Sequence, residues 1–279
     1  MHRKFLFLTL LAIAPLGRLT GAEAASPAAL TQIIEGAQKE GTVNVMLRSG
    51  FNQRSMDRLR KEIREKFRVD LDIKFSPTGS MPKQLSDAIM EYKLGAPPTY
   101  DLMNFSSHIV EGNAAGVFER VDWRPLLLEG TNPEVVMDLP ETKGAIVYFN
   151  GHQGMIYSVY LKMAQDKGMP AAWQSIEFSE VQNFSLSVRK GAKHPNAAKL
   201  VALYLASPQG AKFTLEESLA GNMYYPGNYE HDIAMQDKKQ GIREAFPEKD
   251  PKIIKFVLSE ESDRLEKEIK LILAGAAKR

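Results

Sequence analysis

Hydrophobic spacing in the first half of the chain alternates between helical and strand periods. Apolar side chains in residues 30–37 recur at the 0, 3, 4 and 7 positions of one helix face, a pattern that ends at Gly41. The predicted strands are Thr42–Leu47, Val69–Phe75 and Tyr100–Phe105, and the helices between them carry the stripes Met56, Leu59, Ile63, Phe67 and Leu85, Ala88, Ile89, Tyr92. This alternation predicts an α/β fold with a parallel sheet covered by helices.

Polar loops follow the three predicted strands, at residues 49–52, 76–80 and 104–107. In parallel sheets, ligands bind beyond the carboxyl ends of the strands, where helix N-termini present free N–H groups. Ordinary turn chemistry accounts for each loop taken singly, whereas three loops at one edge favour binding of a polar or anionic ligand. The candidate ligand-binding residues are Ser49, Gly50, Ser76, Thr78, Gly79, Asn104 and Ser106.

The second half of the chain has a looser pattern. Residues 145–149 and 155–161 are interpreted as two strands of a hairpin that turns at residues 150–154. A further strand is predicted at Phe184–Val188, and a helix begins at Asn196. The C-terminus predicts a charged amphipathic helix.

The N-terminus has the three parts of a secretion signal in order. A basic start is followed by ten apolar residues, which end at Pro15, and by the small-residue sequence Ala22-Glu23-Ala24. We expect cleavage after Ala24. Because Arg18 interrupts the segment before about 20 apolar residues, a spanning helix is not expected. An uncleaved amphipathic anchor is the alternative.

Composition narrows the remaining functions. The chain has no cysteine, which excludes disulfides, thiol catalysis, thiolate metal sites and a lipid anchor on cysteine. A protein that diffuses freely needs an outer barrier to retain it, so we expect a periplasmic location, with secretion into the medium as the alternative. The chain has 36 basic and 34 acidic residues, and removal of residues 1–24 leaves 33 of each. This balance leaves no excess of positive charge that would favour binding to nucleic acid.

Candidate catalytic and metal-binding residues are scattered. No two of the four histidines after the signal share a helix at ligand spacing, so neither zinc nor any other metal or cofactor is predicted. His152 is interpreted as a solvated turn residue, and His194 as part of a helix start. We expect Asp101 to fix local backbone by hydrogen bonding. A hydrolase remains a minor alternative, since the chain contains no Gly-x-Ser-x-Gly sequence.

Three stretches resemble one family of transport proteins. Residues 31–45 (TQIIEGAQKEGTVNV), 79–101 (GSMPKQLSDAIMEYKLGAPPTYD) and 189–210 (RKGAKHPNAAKLVALYLASPQG) resemble the ferric-iron-type extracellular solute-binding proteins of ABC importers, in the family's order. The resemblance implies the type II periplasmic-binding fold, in which two α/β lobes close over a ligand. It also implies delivery of the solute to a membrane permease driven by a cytoplasmic ATPase.

The chain departs from this family in two respects. Only ten residues separate Trp173 from Phe184, where similar proteins have a much longer segment that builds most of the second lobe. We therefore expect a truncated second lobe. The adjacent tyrosines that hold iron in family members belong in that missing segment. Because the pair Tyr224-Tyr225 comes after the 189–210 stretch, it is not predicted to bind iron.

These observations together predict a monomeric, non-enzymatic binding protein for a small solute. Its expected parts are the signal (1–24), a first α/β lobe (25–144), crossover strands with a reduced second lobe (145–190) and a C-terminal helical part that returns to the first lobe (191–279). Tyr157, near the expected passage between lobes, either faces the cleft or packs in the hinge. The alternative is a degenerate or internally deleted copy that acts as an interaction or scaffold protein.

Overall fold

The computed structural model describes residues 27–154 and 157–276, so the expected signal at residues 1–24 lies outside the described residues. The strands are β1 (Thr42–Leu47), β2 (Asp72–Pro77), β3 (Leu102–Phe105), β4 (Ala145–Gln153), β5 (Phe178–Val188) and β6 (Arg243–Ala245). The helices are α1 (Pro27–Glu40), α2 (Gln53–Phe67), α3 (Met81–Lys93), α4 (Ile109–Ala114), α5 (Ser158–Asp166), α6 (Pro195–Ala206), α7 (Pro208–Ser218), α8 (Tyr229–Gln240), α9 (Pro251–Val257) and α10 (Glu260–Ala276). No helix within these ranges is both long enough and apolar enough to cross a membrane.

One sheet of mixed direction organises the described chain, with the strand order β2-β1-β3-β5-β4. Strand β1 is parallel to both β2 and β3, and its register pairs Thr42 with Asp72 and Val45 with Leu102. Strand β5 runs antiparallel to β3 and β4, and the short β6 is parallel to the start of β5. The three strands predicted from the first half therefore lie side by side and point the same way, which confirms the α/β prediction.

The boundaries of the first strands follow local burial. The prediction for β1 matches the observed strand. Strand β2 begins at Asp72 rather than Val69, since pairing with β1 starts only at Asp72. The apolar residues Val69 and Leu71, which suggested an earlier start, are buried ahead of the strand. Strand β3 shortens to Leu102–Phe105, all of whose residues are buried.

The predicted hairpin at residues 145–161 is wrong. Strand β4 continues through Gln153, and Ser158–Asp166 forms helix α5. The partner of β4 is β5, more than twenty residues further on, with Ala145 opposite Ser187 and Gln153 opposite Glu180. Valine and tyrosine favour strands, but the few that occur at residues 157–161 do not distinguish a strand from one face of a helix.

Helix α6 is the centre of the core and is held at its N-terminus by another helix. Its residues from Ala197 to Ala206 are buried, except Lys199. The preceding His194 supplies no side-chain cap. Instead the Glu40 carboxylate, at the end of α1, accepts hydrogen bonds from Asn196 N (3.2 Å) and Ala197 N (2.7 Å). A carboxylate satisfies free N–H groups there and complements the helix dipole.

Asp101 ties the start of β3 to the segment before α6. Its buried carboxylate accepts from Asn44 N (2.9 Å), Lys193 N (3.0 Å) and His194 N (3.1 Å), and from the His194 ring at Nδ1 (2.8 Å). The expectation that Asp101 fixes backbone is confirmed, as is the structural interpretation of His194.

The far ends of β4 and β5 extend beyond the main sheet and carry a small second unit. Val181 of β5, Met223 and Ala234 of α8 form a buried satellite cluster there, with Tyr224 and Phe246 packed against it. Among the described residues between β4 and β5, α5 is the only helix, and a short connector follows it. The fold is thus the two-lobed α/β type with a strongly reduced second lobe.

Candidate functional site

A cleft of about 260 Å³ lies between the loop edge of the first lobe and the crossover strands. The first-lobe side is formed by residues that follow β1 and β2 and by Asn104 in β3. The opposite side is formed by β4, the start of α5, Phe184 of β5 and the start of α8. The cleft therefore lies where the parallel strands end, which is the usual position of ligands in this class of sheet.

The floor of the cleft is a small network of polar groups. Thr78 Oγ1 donates to the main-chain oxygen of Leu47 (2.9 Å) and accepts from Asn104 Nδ2 (3.2 Å). Asn104 is fully buried, and its Oδ1 has no hydrogen-bond partner among the described residues. Since a buried acceptor without a partner is costly, this oxygen is suited to accept from a ligand donor.

Arg48 is the positively charged residue that lines the cleft. Its guanidinium lies 4.9 Å from the ring centre of Phe149, which stacks on Phe184 with a centroid distance of 4.3 Å and an interplanar angle of 9°. No carboxylate of the described residues lies within 4.0 Å of this guanidinium. A half-buried arginine on an aromatic platform, without an acidic partner, is chemically suited to a carboxylate or phosphate.

Glu230 is the acidic residue that lines the cleft, and its carboxylate is already engaged. The side chain of Asn228 caps α8 by accepting from Glu230 N (3.1 Å), which places Glu230 in the first helical turn. Glu230 Oε2 accepts from His152 N (3.1 Å) and contacts His152 Nδ1 (2.6 Å), while Oε1 accepts from the Ser158 hydroxyl. Glu230 thus joins β4, α5 and α8.

His152 corrects one sequence interpretation. It was expected to be a solvated turn residue, but it is fully buried in β4 and bonded to Glu230. The expected turn does not exist because β4 continues through this position. Its Nε2 has no partner among the described residues, and its ring lies 6.0 Å from that of Trp173 in an edge-on arrangement.

Tyrosines form part of the cleft wall. Burial raises the pKa of Tyr229, whose hydroxyl donates to Leu219 O (2.7 Å). Burial also raises the pKa of Tyr157, whose hydroxyl donates to Gln182 Oε1 (2.9 Å). Both therefore remain neutral hydrogen-bonding groups at physiological pH.

Part of the predicted residue set meets in this cleft. Ser49, Thr78, Gly79, Asn104 and Tyr157 line it, whereas Gly50, Ser76 and Ser106 do not. Gly50 lies against Ser218, Ser76 is paired with Met46 inside the sheet, and the Ser106 hydroxyl contacts Met81 Sδ at 3.7 Å. Ser76 is still paired within the sheet, two residues before Thr78, while Gly50 and Ser106 are packed against Ser218 and Met81, and Met81 itself lines the cleft.

Several lining residues were missed from sequence. Arg48 directly follows β1, so the rule that ligands bind beyond the carboxyl ends of strands would have identified it from the sequence. Asn150, Tyr229 and Glu230 offered no comparable signal, since they enter the cleft through contacts between distant parts of the chain.

The pair Tyr224-Tyr225 lies outside this cleft. Tyr225 donates its hydroxyl to Ala206 O (2.6 Å), and the Tyr224 hydroxyl accepts from Lys249 Nζ (3.3 Å). Within residues 27–154 and 157–276, no group of three or more His, Asp or Glu residues is placed to hold a metal ion.

Two other histidines also have structural partners. The ring of His194 contacts the Asp101 carboxylate, and the ring of His231 contacts Met223 O (2.8 Å). Ser158 donates to Glu230 rather than to His152, which is not the arrangement of an activated serine nucleophile.

Comparison with solved structures defines the class of fold. An ABC transporter substrate-binding protein from Bradyrhizobium japonicum matches with a TM-score of 0.54 and 10% identity, covering 82% of this chain and 98% of that one. The substrate-binding protein of an Agrobacterium tumefaciens ABC transporter gives 0.53 and 9%, with coverage of 75% and 88%. The protein MotA from A. tumefaciens B6, solved with glucopine, gives 0.50 and 11%, with coverage of 76% and 95%.

No protein-family model and no curated protein matches the chain. At identities near 10% the structural likeness establishes the fold, which is that of the substrate-binding proteins of ABC transporters.

Proposed function

We propose that this protein is the solute-binding component of an ABC importer and captures a small anionic solute in the cleft beside Arg48. The proposal rests chiefly on the Arg48 guanidinium, which has no carboxylate partner among the described residues and lines a cleft at the strand ends of a substrate-binding-protein fold. We further propose that the protein is exported, cleaved after Ala24, retained in the periplasm as a monomer and received by a membrane permease with its ATPase.

The chemistry of the cleft suggests how a solute would be held. A carboxylate or phosphate would pair with Arg48, and the Phe149–Phe184 stack would contact an apolar or planar part of the solute. Asn104 Oδ1 would accept from a hydroxyl or amino group. With about 260 Å³ of space, the cleft suits a compact molecule rather than a polymer.

A thermal-shift screen of the chain without residues 1–24 tests this proposal. The panel should contain small carboxylates, phosphates and phosphonates, with neutral sugars and alcohols of similar size for comparison. A ligand at 100 times its dissociation constant stabilises a protein by about 2.7 kcal/mol. We expect some anions to raise the melting temperature and neutral compounds to leave it unchanged. No response to any anion would contradict solute capture.

The reduced second lobe supports a second candidate, a non-transport interaction protein. Its satellite cluster has three buried residues, so the wall opposite the first lobe is small. Closure around a solute normally requires two substantial walls. A flat screen together with the absence of neighbouring permease and ATPase genes would favour this alternative.

A further inference from the structure

A second cavity, of about 270 Å³, shares Tyr157 with the cleft that Arg48 lines. It is enclosed by the start of β5, the 3₁₀ turn Pro247–Lys249 and helix α9, with the start of α4 opposite. Tyr157 borders both cavities, while Arg48 lines only the first. The two spaces therefore differ in charge.

Two carboxylates line this second cavity, Glu180 and Glu248. Glu248 is only 2% exposed. Its Oε1 accepts from Asn183 N (3.1 Å), but its Oε2 has no hydrogen-bond partner among the described residues. A buried carboxylate oxygen in this state lacks the compensation that buried charges normally have.

Lys249, which follows Glu248 in the sequence, is engaged elsewhere. The ammonium group of Lys249 lies 3.7 Å from the carboxylate of Glu134 and over the rings of Tyr224 and Phe246. Neither Glu180 nor Glu248 has an ion-pair partner within 4.0 Å in the part of the chain that the structure describes. Negative charge in this cavity thus has no counter-ion among the residues that the structure describes.

Burial raises the pKa of Glu248, although the hydrogen bond from Asn183 N and the charge of Lys249 act in the opposite direction. The carboxylate is therefore held at a cost in stability, a situation found more often at binding sites than at structural positions.

The rest of the lining is mixed. Five apolar residues lie beside four polar ones: Val110, Pro247, Ile253, Ile254 and Val257, with Ser107, Gln153, Tyr157 and Gln182. The Tyr157 hydroxyl already donates to Gln182 Oε1 and accepts from Gln153 Nε2, so these polar groups are engaged. The apolar side chains of α9 offer no ligands to a hydrated inorganic cation, which requires several oxygens. An ammonium group that carries a short hydrocarbon chain satisfies both the charge and the apolar surface.

We propose that the second cavity binds an organic ammonium compound with a short aliphatic chain, and that Glu248 is its buried counter-ion. Glu180 supplies a second, more exposed carboxylate. The site is separate from the anion site of the proposed function and does not depend on it.

Titration with three probes of similar length tests the proposal: butylamine, 1,4-diaminobutane and 1-butanol. The amines are expected to bind and to raise the melting temperature, and the alcohol is expected to have no effect. Glu248→Gln keeps the oxygen that accepts from Asn183 N but removes the charge, so it should weaken amine binding by about tenfold or more. Arg48→Ala should leave amine binding unchanged, which separates this site from the anion cleft.

Glu244→Gln is the matched control. Glu244 is half-buried in β6 and burial raises its pKa too, yet it does not line the cavity. This variant should bind amines like the wild type. The proposal is overturned if the amines do not bind, if Glu248→Gln binds them equally well, or if calcium chloride stabilises the protein and the amines do not. We also expect the Glu248→Gln variant to be folded. Without ligand, its melting temperature should be no lower than that of the wild type.

Discussion

Replacing Asp101 with asparagine is expected to destabilise the fold strongly, because one buried carboxylate connects three segments of the chain. Its Oδ1 accepts from the backbone N–H groups of Lys193 and His194, and its Oδ2 accepts from Asn44 N and from the His194 ring. An asparagine has one acceptor oxygen in place of two, so it keeps one pair of these hydrogen bonds. Its amide NH2 group, itself a donor, then faces the other two donors and cannot accept from them.

The magnitude follows from the two contacts that are lost. Hydrogen bonds to charged groups contribute about 1.5–3 kcal/mol each, so Asp101→Asn should lower the free energy of unfolding by about 3–6 kcal/mol. For a domain of this size 1 kcal/mol corresponds to roughly 2–4 °C. The melting temperature should therefore fall by at least about 6 °C.

Thermal and urea unfolding followed by circular dichroism measure this change. Asp87→Asn is the control, since Asp87 is 58% exposed and pairs with Lys83 on the surface of α3; its effect should stay within about 0.5 kcal/mol. If Asp101→Asn melted within about 2 °C of the wild type, the two contacted segments would not depend on this carboxylate.

Two further variants test helix capping and buried charge. Glu40→Gln should cost about 1–2 kcal/mol because it weakens the contact with Ala197 N and removes the charge at the N-terminus of α6; in urea unfolding, exposed Glu35→Gln should be neutral, and equal losses would refute the capping role. Glu248→Gln should match the wild type in stability near pH 4 and exceed it near pH 8. The reason is that a folded-state pKa above the usual value of about 4.3 favours folding at low pH, and this contribution is lost as pH rises through the raised pKa. A stability difference that is the same at both pH values would contradict the burial effect on Glu248.

Much of the first lobe was predictable because its signals are local. The periods of residues 30–105 distinguish strands from helices, and the parallel arrangement of β1, β2 and β3 follows from their alternation. Asp101 was also interpreted correctly, since an acid beside a turn before a strand commonly binds backbone N–H groups.

The second half was less predictable because its contacts are long-range. Strand β4 pairs with β5 rather than with its neighbour in sequence, and this pairing buries His152 against Glu230. The exact lining of the cleft depends on where each strand ends. Ser76 was expected there but is still paired inside the sheet, whereas Arg48, directly after β1, lines the cleft and was not expected. The Glu248 cavity arises where a turn near the C-terminus reaches β5, and no motif marks it.

Calorimetric titration of the best anion from the screen tests the central claim most directly, with wild type, Arg48→Ala and Arg54→Ala compared. Arg54 is an exposed residue of α2 outside the cleft, so its removal changes the net charge equally. A lost charge-assisted contact of about 1.5–3 kcal/mol corresponds to roughly 10- to 150-fold. We expect Arg48→Ala to weaken binding by that factor and Arg54→Ala to leave it nearly unchanged. Equal affinity of Arg48→Ala and wild type would contradict the assignment of Arg48 as the anion-binding residue.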